Sequence, residues 1–204
     1  ITNASFWKTE DDVKGGLNGM YTQLRNVASE SMYLLGEARS EILTLGTVGG
    51  GGYDVYYNNT LTSANAGPSW QSFYTIVNTA NLIIRNSEKI SFSSENTKNK
   101  YLAQAYTMRA FIYFVMTRTW GDLIIRTEPV ESTSADVTQK ERSSQADVFK
   151  LIKDDLNKAI GLFPDNAFTT GRCYWSKPAA YALMADVYLW TGKKLNGGAS
   201  DFNQ

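Results

Sequence analysis

The sequence predicts an all-α protein built from paired helices with long irregular loops, and three observations carry that prediction. The first is Tyr101–Gly121, twenty residues without glycine or proline closed by Gly121, which reads as a helix of about 30 Å. The second is a set of helix starts: Thr9 with Asp12, Ser144 with Asp147, and Ser176 just ahead of Pro178. The third is an internal echo. Ile76, Ala80 and Ile84 correspond to Ile152, Leu156 and Ile160 at an offset of 76, and Ala110 and Tyr113 to Ala185 and Tyr188 at an offset of 75.

In chain order, Asn3 to Lys8 read as a short loop into a first helix. Thr9 is its N-cap, and Glu10, Asp11 and Asp12 face the positive helix end. Val13, Leu17, Met20, Leu24 and Val27 follow at heptad-like spacing, while Gly15, Gly16 and Gly19 imply close approach by another helix. Ser31 to Leu45 is mixed. Glu37 and Glu41 lie four apart, but adjacent turns of one helix are a poor place for acids that must flank a scissile bond. They read as solvated acids or as partners of Arg39.

Residues 46–69, GTVGGGGYDVYYNNTLTSANAGPS, form the unusual segment. Four consecutive glycines make a flexible hinge, and no hydrophobic period lasts long enough for a core element. Loops of more than about 15 residues are uncommon in compact domains and are often binding loops. Tyr53, Tyr56 and Tyr57 stand here beside Asp54, Asn58 and Asn59. Rings that stack on the C–H face of a sugar, next to amide and carboxylate partners for its hydroxyls, make these six the candidate ligand-binding residues. The competing reading is a surface loop whose tyrosines pack back on the helices. A calcium ion at Asp54, Asn58 and Asn59 matches no defined loop spacing, so the sequence names no metal and no cofactor.

From Trp70 to Ile90 the helical period returns through Phe73, Ile76, Val77, Ala80, Ile83 and Ile84, and Ser94-Glu95 opens the central helix. That helix carries two stripes: Tyr101, Ala105, Met108, Ile112 and Val115, and Tyr106, Ala110, Tyr113, Thr117 and Trp120. It should therefore be covered on two sides. Its uninterrupted apolar run, Ala110–Met116, has seven residues between Arg109 and Arg118, too few to span a bilayer. Asp122 to Arg142 reads as an irregular connection. Val148, Ile152, Leu156, Ala159 and Ile160 carry the next helix to Phe163-Pro164, and a turn over 165–174 leads to the helix that ends at Thr191-Gly192. The echo thus makes two helical hairpins, about 70–120 and 144–192, of tetratricopeptide type with stretched loops. Such units stack on their neighbours, normally in threes or more. With two clear repeats, and with Ser200–Gln204 reading as the N-cap and first turn of a helix without a body, the chain reads as part of a longer protein.

Composition excludes several functions. Twenty basic and twenty acidic residues cancel in a chain of 204, which leaves no electrostatic footprint for nucleic acid. There is no histidine and one cysteine, Cys173, which removes His-based triads, the usual zinc sets and internal disulfides. Cys173 is expected as inert buried packing. Most of the aromatic rings, 13% of the chain, are expected in the core.

An aromatic- and alanine-rich helix carrying Arg109-Ala110, Tyr113-Phe114 and then Trp120-Gly121-Asp122 resembles the SusD-like (RagB/SusD) family. Phe6, Thr9-Glu10-Asp11 and Met20-Tyr21 are similar to the family's opening helix, and Trp70, Tyr74, Ile76 and Asn81 to its second. Arg142-Ser143-Ser144, Val148-Phe149, Ile152 and Asp155-Leu156 resemble its later hairpin, and Gly171-Arg172, Lys177, Ala179-Ala180 and Val187-Tyr188-Leu189 the segment after it. Ile124 departs from the pattern, where the family usually has proline. The resemblance implies an all-α fold of four tetratricopeptide-like hairpins, of which residues 1–204 are the N-terminal portion and nearly half of the chain lies beyond. It implies a surface lipoprotein of the outer membrane, held by an N-terminal lipid anchor outside this sequence. Its function would be to bind oligosaccharide or polysaccharide, without catalysis, and pass it to a SusC-like TonB-dependent transporter. The matched helical positions are scaffold and transfer no binding residues.

Peptide or glycopeptide capture is the near alternative. A tetratricopeptide scaffold for protein partners would instead show a concave face of exposed asparagine and lysine. A glycosidase would need two facing carboxylates roughly 5–10 Å apart, and no motif announces them.

Overall fold

The computed structural model describes residues 6–40, 46, 52–62, 64, 69–132, 134, 138–168, 170–195 and 197–202. Helix α1, Glu10–Val27, starts where a capping box forces it to start. The Thr9 hydroxyl accepts from the Asp12 N–H at 3.3 Å, and the Asp12 carboxylate accepts from the Thr9 N–H at 2.8 Å. Hydrogen bonds from Thr9, and then from the Lys8 backbone, hold the Asp12 carboxyl below its usual range. A depressed folded pKa contributes stability that is present above the ordinary carboxylate range near pH ~4 and lost as pH falls through the folded value. Asp12→Asn is therefore expected to flatten the fall in melting temperature between mildly and strongly acidic buffer, measured by circular dichroism.

After α1 the chain tightens through a π-turn, Ala28–Met32, a single α-turn, Tyr33–Leu35, and a 3₁₀ turn, Glu37–Arg39. Helix α2 is short, Asp54–Tyr57. The long helices follow: α3, Trp70–Ser87; α4, Glu95–Trp120; α5, Gln145–Leu162; and α6, Lys177–Lys194. The five-residue α7, Gly198–Phe202, closes the described chain. Among the described residues the β-type pairing is one antiparallel bridge, Leu123 to Ser143.

Helix α4 is the centre. Ser94 caps it, and Gly121 ends it with a positive φ of 75°, a conformation that glycine adopts without strain. Over its 26 residues it is flanked by α3 and α5, with α1 behind α3. Ala105, Met108 and Ile112 on one stripe, and Ala110, Tyr113 and Thr117 on the other, are all buried. Two-sided cover follows from this double stripe of small and aromatic residues, which lets both neighbours approach. The two expected hairpins are α3/α4 and α5/α6.

The echo has one unequal consequence. Ala110 and Tyr113 are buried, while their counterparts on α6 are exposed (Ala185) and half-buried (Tyr188). Helix α4 lies between its hairpin partner α3 and α5 of the next hairpin, whereas α6 packs chiefly on α5 and α7.

Several details differ from expectation. Helix α6 runs through Thr191-Gly192 to Lys194, because Gly192 is buried in a continuous helix and Lys193 and Lys194 suit its negative end. Helix α7 begins at Gly198, so Ser200 is not an N-cap, and Asp201 instead bonds Lys153 at 3.0 Å and the Thr191 hydroxyl. Ser144 caps α5 through the Asp147 N–H, but its hydroxyl also donates to the Asp147 carboxylate, so the reciprocal half of the box is a side-chain bond. Of the three glycines in α1, Gly16 alone is tightly covered. A methyl there would lie 2.6 Å from the Trp7 ring and 3.5 Å from Ile83 of α3, while a methyl at Gly19 would meet nothing within 4 Å.

Cys173 is exposed rather than buried, because it lies in the turn after the 3₁₀ segment Thr170–Arg172 and outside the helical core. The rings divide by type. Phe73, Phe114, Phe149 and Phe163 are buried, but among the twelve tyrosines only Tyr56 and Tyr113 are. A phenol carries a hydroxyl that must be satisfied, which favours the boundary over the interior.

Candidate functional site

The six nominated residues lie together on and around α2, docked against the turns that follow α1. Tyr56 is the anchor: it is 8% exposed and packs with Leu34 and Ala38 in a small core of its own. Around it three polar contacts tie the loop down. The Tyr53 hydroxyl donates to Glu30 at 2.9 Å, the Tyr33 and Tyr57 hydroxyls meet at 3.3 Å, and Arg39 Nε donates to Asn59 Oδ1 at 3.1 Å. Asn59 also returns its amide N–H to the Arg39 carbonyl at 3.2 Å. Its φ of 53° is left-handed, a conformation asparagine tolerates better than most residues. The hydrogen bond to Glu30 raises the Tyr53 pKa, and the hydrogen bond to Tyr57 raises that of Tyr33.

Residues 53–59 are thus docked against the turns after α1, and the two readings of the tyrosines divide between residues. Tyr56 packs back on the protein. Tyr53 is 41% exposed, Tyr57 is half-buried, and Asp54 and Asn58 are exposed. Asn59 is spent on Arg39. Among the described residues no group of three His, Cys, Asp or Glu is arranged to hold a metal ion. Glu41 lies outside the described residues. Glu37 is exposed, and among the described residues Arg39 pairs with Asn59.

Arg39 also borders a cleft of about 360 Å³ between the 32–39 turns, the end of α4 and α6. Met32, Leu35, Phe111, Arg118 and Trp190 share its lining. The Arg118 guanidinium lies 4.0 Å over the Phe114 ring and 5.6 Å from the centre of Trp190, and its Nε donates to the Phe114 carbonyl at 3.3 Å. Burial among these groups pulls the Arg118 pKa down, against the charge of Asp186. In sequence, Arg118 is a charge that interrupts an apolar run and Arg39 a partner for acids. Only folding brings residues 39, 118 and 190 to one cleft, and no spacing rule links positions so far apart.

A second cleft, about 310 Å³, lies between α3 and the 122–138 connection and is lined by Gln71, Tyr74, Asn78, Asn81 and Arg126, among others. Its amides work as structure. Asn78 exchanges both its bonds with the Val130 backbone, at 2.7 and 3.3 Å, and Asn81 donates to the carbonyls of Arg126 and Glu128 at 3.1 and 3.2 Å. Behind them Arg109 grips Asp155 with two bonds of 2.7 Å and reaches Asn81 Oδ1 at 2.7 Å. Burial raises the Asp155 carboxyl pKa, against the pull of Arg109. Tyr113 completes the brace by accepting the Arg126 N–H at 2.7 Å. Asn78 and Asn81 of α3, Arg109 and Tyr113 of α4 and Asp155 of α5 thus together fix the irregular connection.

Comparison with known proteins follows this architecture. A SusD-like family described as starch-binding and associating with the outer membrane matches residues 3–189. SusD-like protein P38 of Formosa agariphila is 32% identical over 193 residues, which cover 93% of this chain and 37% of that protein. Among solved structures, B. fragilis NanU superposes with a TM-score of 0.87 at 34% identity, covering 98% of this chain and 40% of that one. A laminarin-binding SusD-like protein shares the fold, with a TM-score of 0.79 at 24% identity over 94% of this chain and 42% of that one. The chain spans about two fifths of the length of these relatives. With the family model matching residues 3–189, nearly the whole of this helical chain, the chain belongs to the SusD-like family.

Proposed function

We propose that the protein captures oligosaccharide at the cell surface without cleaving it and passes it to a SusC-like TonB-dependent transporter in the outer membrane. In this reading it is a surface-exposed lipoprotein held by an N-terminal lipid. The observation that carries the proposal is the match of residues 3–189 to a family described as starch-binding and associating with the outer membrane. The laminarin-binding relative supports a glycan ligand by analogy of fold. Among the described residues no helix is long and apolar enough to cross a membrane, so none of them supplies the attachment in this reading.

The docked loop is the proposed contact surface. Tyr53 and Tyr57 present ring and hydroxyl at its rim, Asp54 and Asn58 offer exposed hydrogen-bonding groups, and Tyr56 and Asn59 hold the loop in place. Shallow aromatic surfaces with a few directional partners suit sugars, whose ring faces are apolar and whose edges are hydroxylated.

The test is an isothermal titration screen of the full-length protein against oligosaccharides and peptides, with product analysis alongside. Saccharide binding in the micromolar to millimolar range without cleavage is the expected result. Tyr53→Ala with Tyr57→Ala should then weaken the affinity by about tenfold, the loss of one to two stacking contacts. Binding of peptides alone, or cleavage of the sugar, would replace this reading.

A further inference from the structure

We propose that the cleft bordered by Arg39 and Arg118 is a subsite for an anionic sugar, one carrying a carboxylate or a sulfate, adjoining the loop. This rests on the glycan-capture reading and narrows its substrate class. Four observations support it.

First, two guanidiniums line one cleft of about 360 Å³, and no acidic residue is among those lining it. A cleft walled by cations of one sign raises the local concentration of anions. Second, among the described residues neither guanidinium is in a close ion pair. Those of Arg85, Arg109, Lys150 and Lys153 do not use Arg39 or Arg118, and the carboxylate whose charge acts on Arg118, Asp186, makes no salt bridge with it.

Third, both are held in place through Nε, leaving their terminal N–H groups for a ligand. Arg118 is fixed by the Phe114 carbonyl and its guanidinium lies 4.0 Å over the Phe114 ring; Arg39 is fixed by Asn59. An arginine with a held plane is suited to a two-point grip on a carboxylate or sulfate and loses less entropy on binding. Fourth, Trp190 and Phe111 border the same cleft, so an apolar sugar face can lie against a ring while its acidic group meets the cations. The arrangement also gives Asn59 a task that its position in the loop sequence does not disclose: it positions Arg39.

The experiment is isothermal titration of the full-length protein with three ligands of matched length and linkage: a neutral trisaccharide, its uronate form and its sulfated form. The acidic forms are expected to bind about tenfold more tightly than the neutral one, the range of a charge-assisted hydrogen bond. Raising ionic strength should shrink that advantage. Arg118→Met should abolish the preference while leaving neutral binding unchanged, with a lower melting temperature from the lost Phe114 and Trp190 contacts. Arg39→Met should abolish it too, with a parallel loss of neutral binding because it releases Asn59 and the loop. Preference for the uronate alone identifies a carboxylate ligand, and preference for the sulfated form alone a sulfate; both support the proposal. Equal binding of all three ligands, or a preference that survives both substitutions, overturns the subsite and leaves glycan capture standing. No binding of any saccharide here and in the wider screen overturns glycan capture and the subsite with it.

Discussion

Replacing Arg109 by methionine is expected to destabilise the protein by about 3–5 kcal/mol, read as a lower urea midpoint. Arg109 and Asp155 are 4% and 1% exposed and joined by two bonds of 2.7 Å. Removing the cation leaves a buried carboxylate without its hydrogen-bonded ion-pair partner and with only the charge of Lys158 still acting on it, and that poorly compensated charge is the main cost. The same substitution frees Asn81 Oδ1, and with it the amide that holds the carbonyls of Arg126 and Glu128. The damage should therefore spread to the 122–130 connection and appear as faster amide exchange there. Arg109→Met combined with Asp155→Leu should lose less stability than Arg109→Met alone, because no buried charge remains unpaired. A single-mutant loss below about 1 kcal/mol would place the pair in the range of solvated surface ion pairs and overturn the account of the brace.

Phe114→Ala carries the second large effect, about 3–5 kcal/mol, the usual cost of a phenyl-sized cavity in a packed core. Phe114 is buried on α4 and meets Phe149 of α5 at 6.0 Å and Trp190 of α6 at 6.5 Å, both edge to face. It is the ring at which three helices converge. It is also the shelf on which Arg118 lies at 4.0 Å. Loss of stability from this substitution should thus be accompanied by loss of any preference for acidic sugars, at a temperature where the variant is still folded. Phe114→Leu, which keeps most of the volume but not the ring face, separates the two effects: stability should largely return while the acidic preference stays reduced. Full recovery of both would show that the ring matters only as packing.

The two substitutions bear on different parts of the molecule. The Arg109 brace holds the scaffold, and its members on α3, α4 and α5 were legible as family motif positions although no spacing rule predicts that they touch. The Phe114 shelf links scaffold to cleft, and nothing in its neighbourhood of the sequence marks that role. The loop is intermediate. Its chemistry stood out because tyrosines and asparagines gather in a glycine-rich segment, yet which rings face outward depended on Leu34 and Ala38, some twenty residues upstream.

The sequence by itself determined the long helices and their pairing, but not the short α2 and its small core, which lie where no hydrophobic period is visible. Capping at Thr9, Ser94 and Ser144 is local chemistry, satisfied within three residues, and the double stripe on α4 records that it has neighbours on both sides. What only the tertiary structure decided are the meetings between distant side chains: Arg109 with Asp155, Asn59 with Arg39, and residues 39, 118 and 190 at one cleft. Periodicity reports which face of a helix is covered, because burial repeats with the helical turn. It does not report the axial position and rotation of one helix against another, and those settings determine which polar groups come within 3 Å.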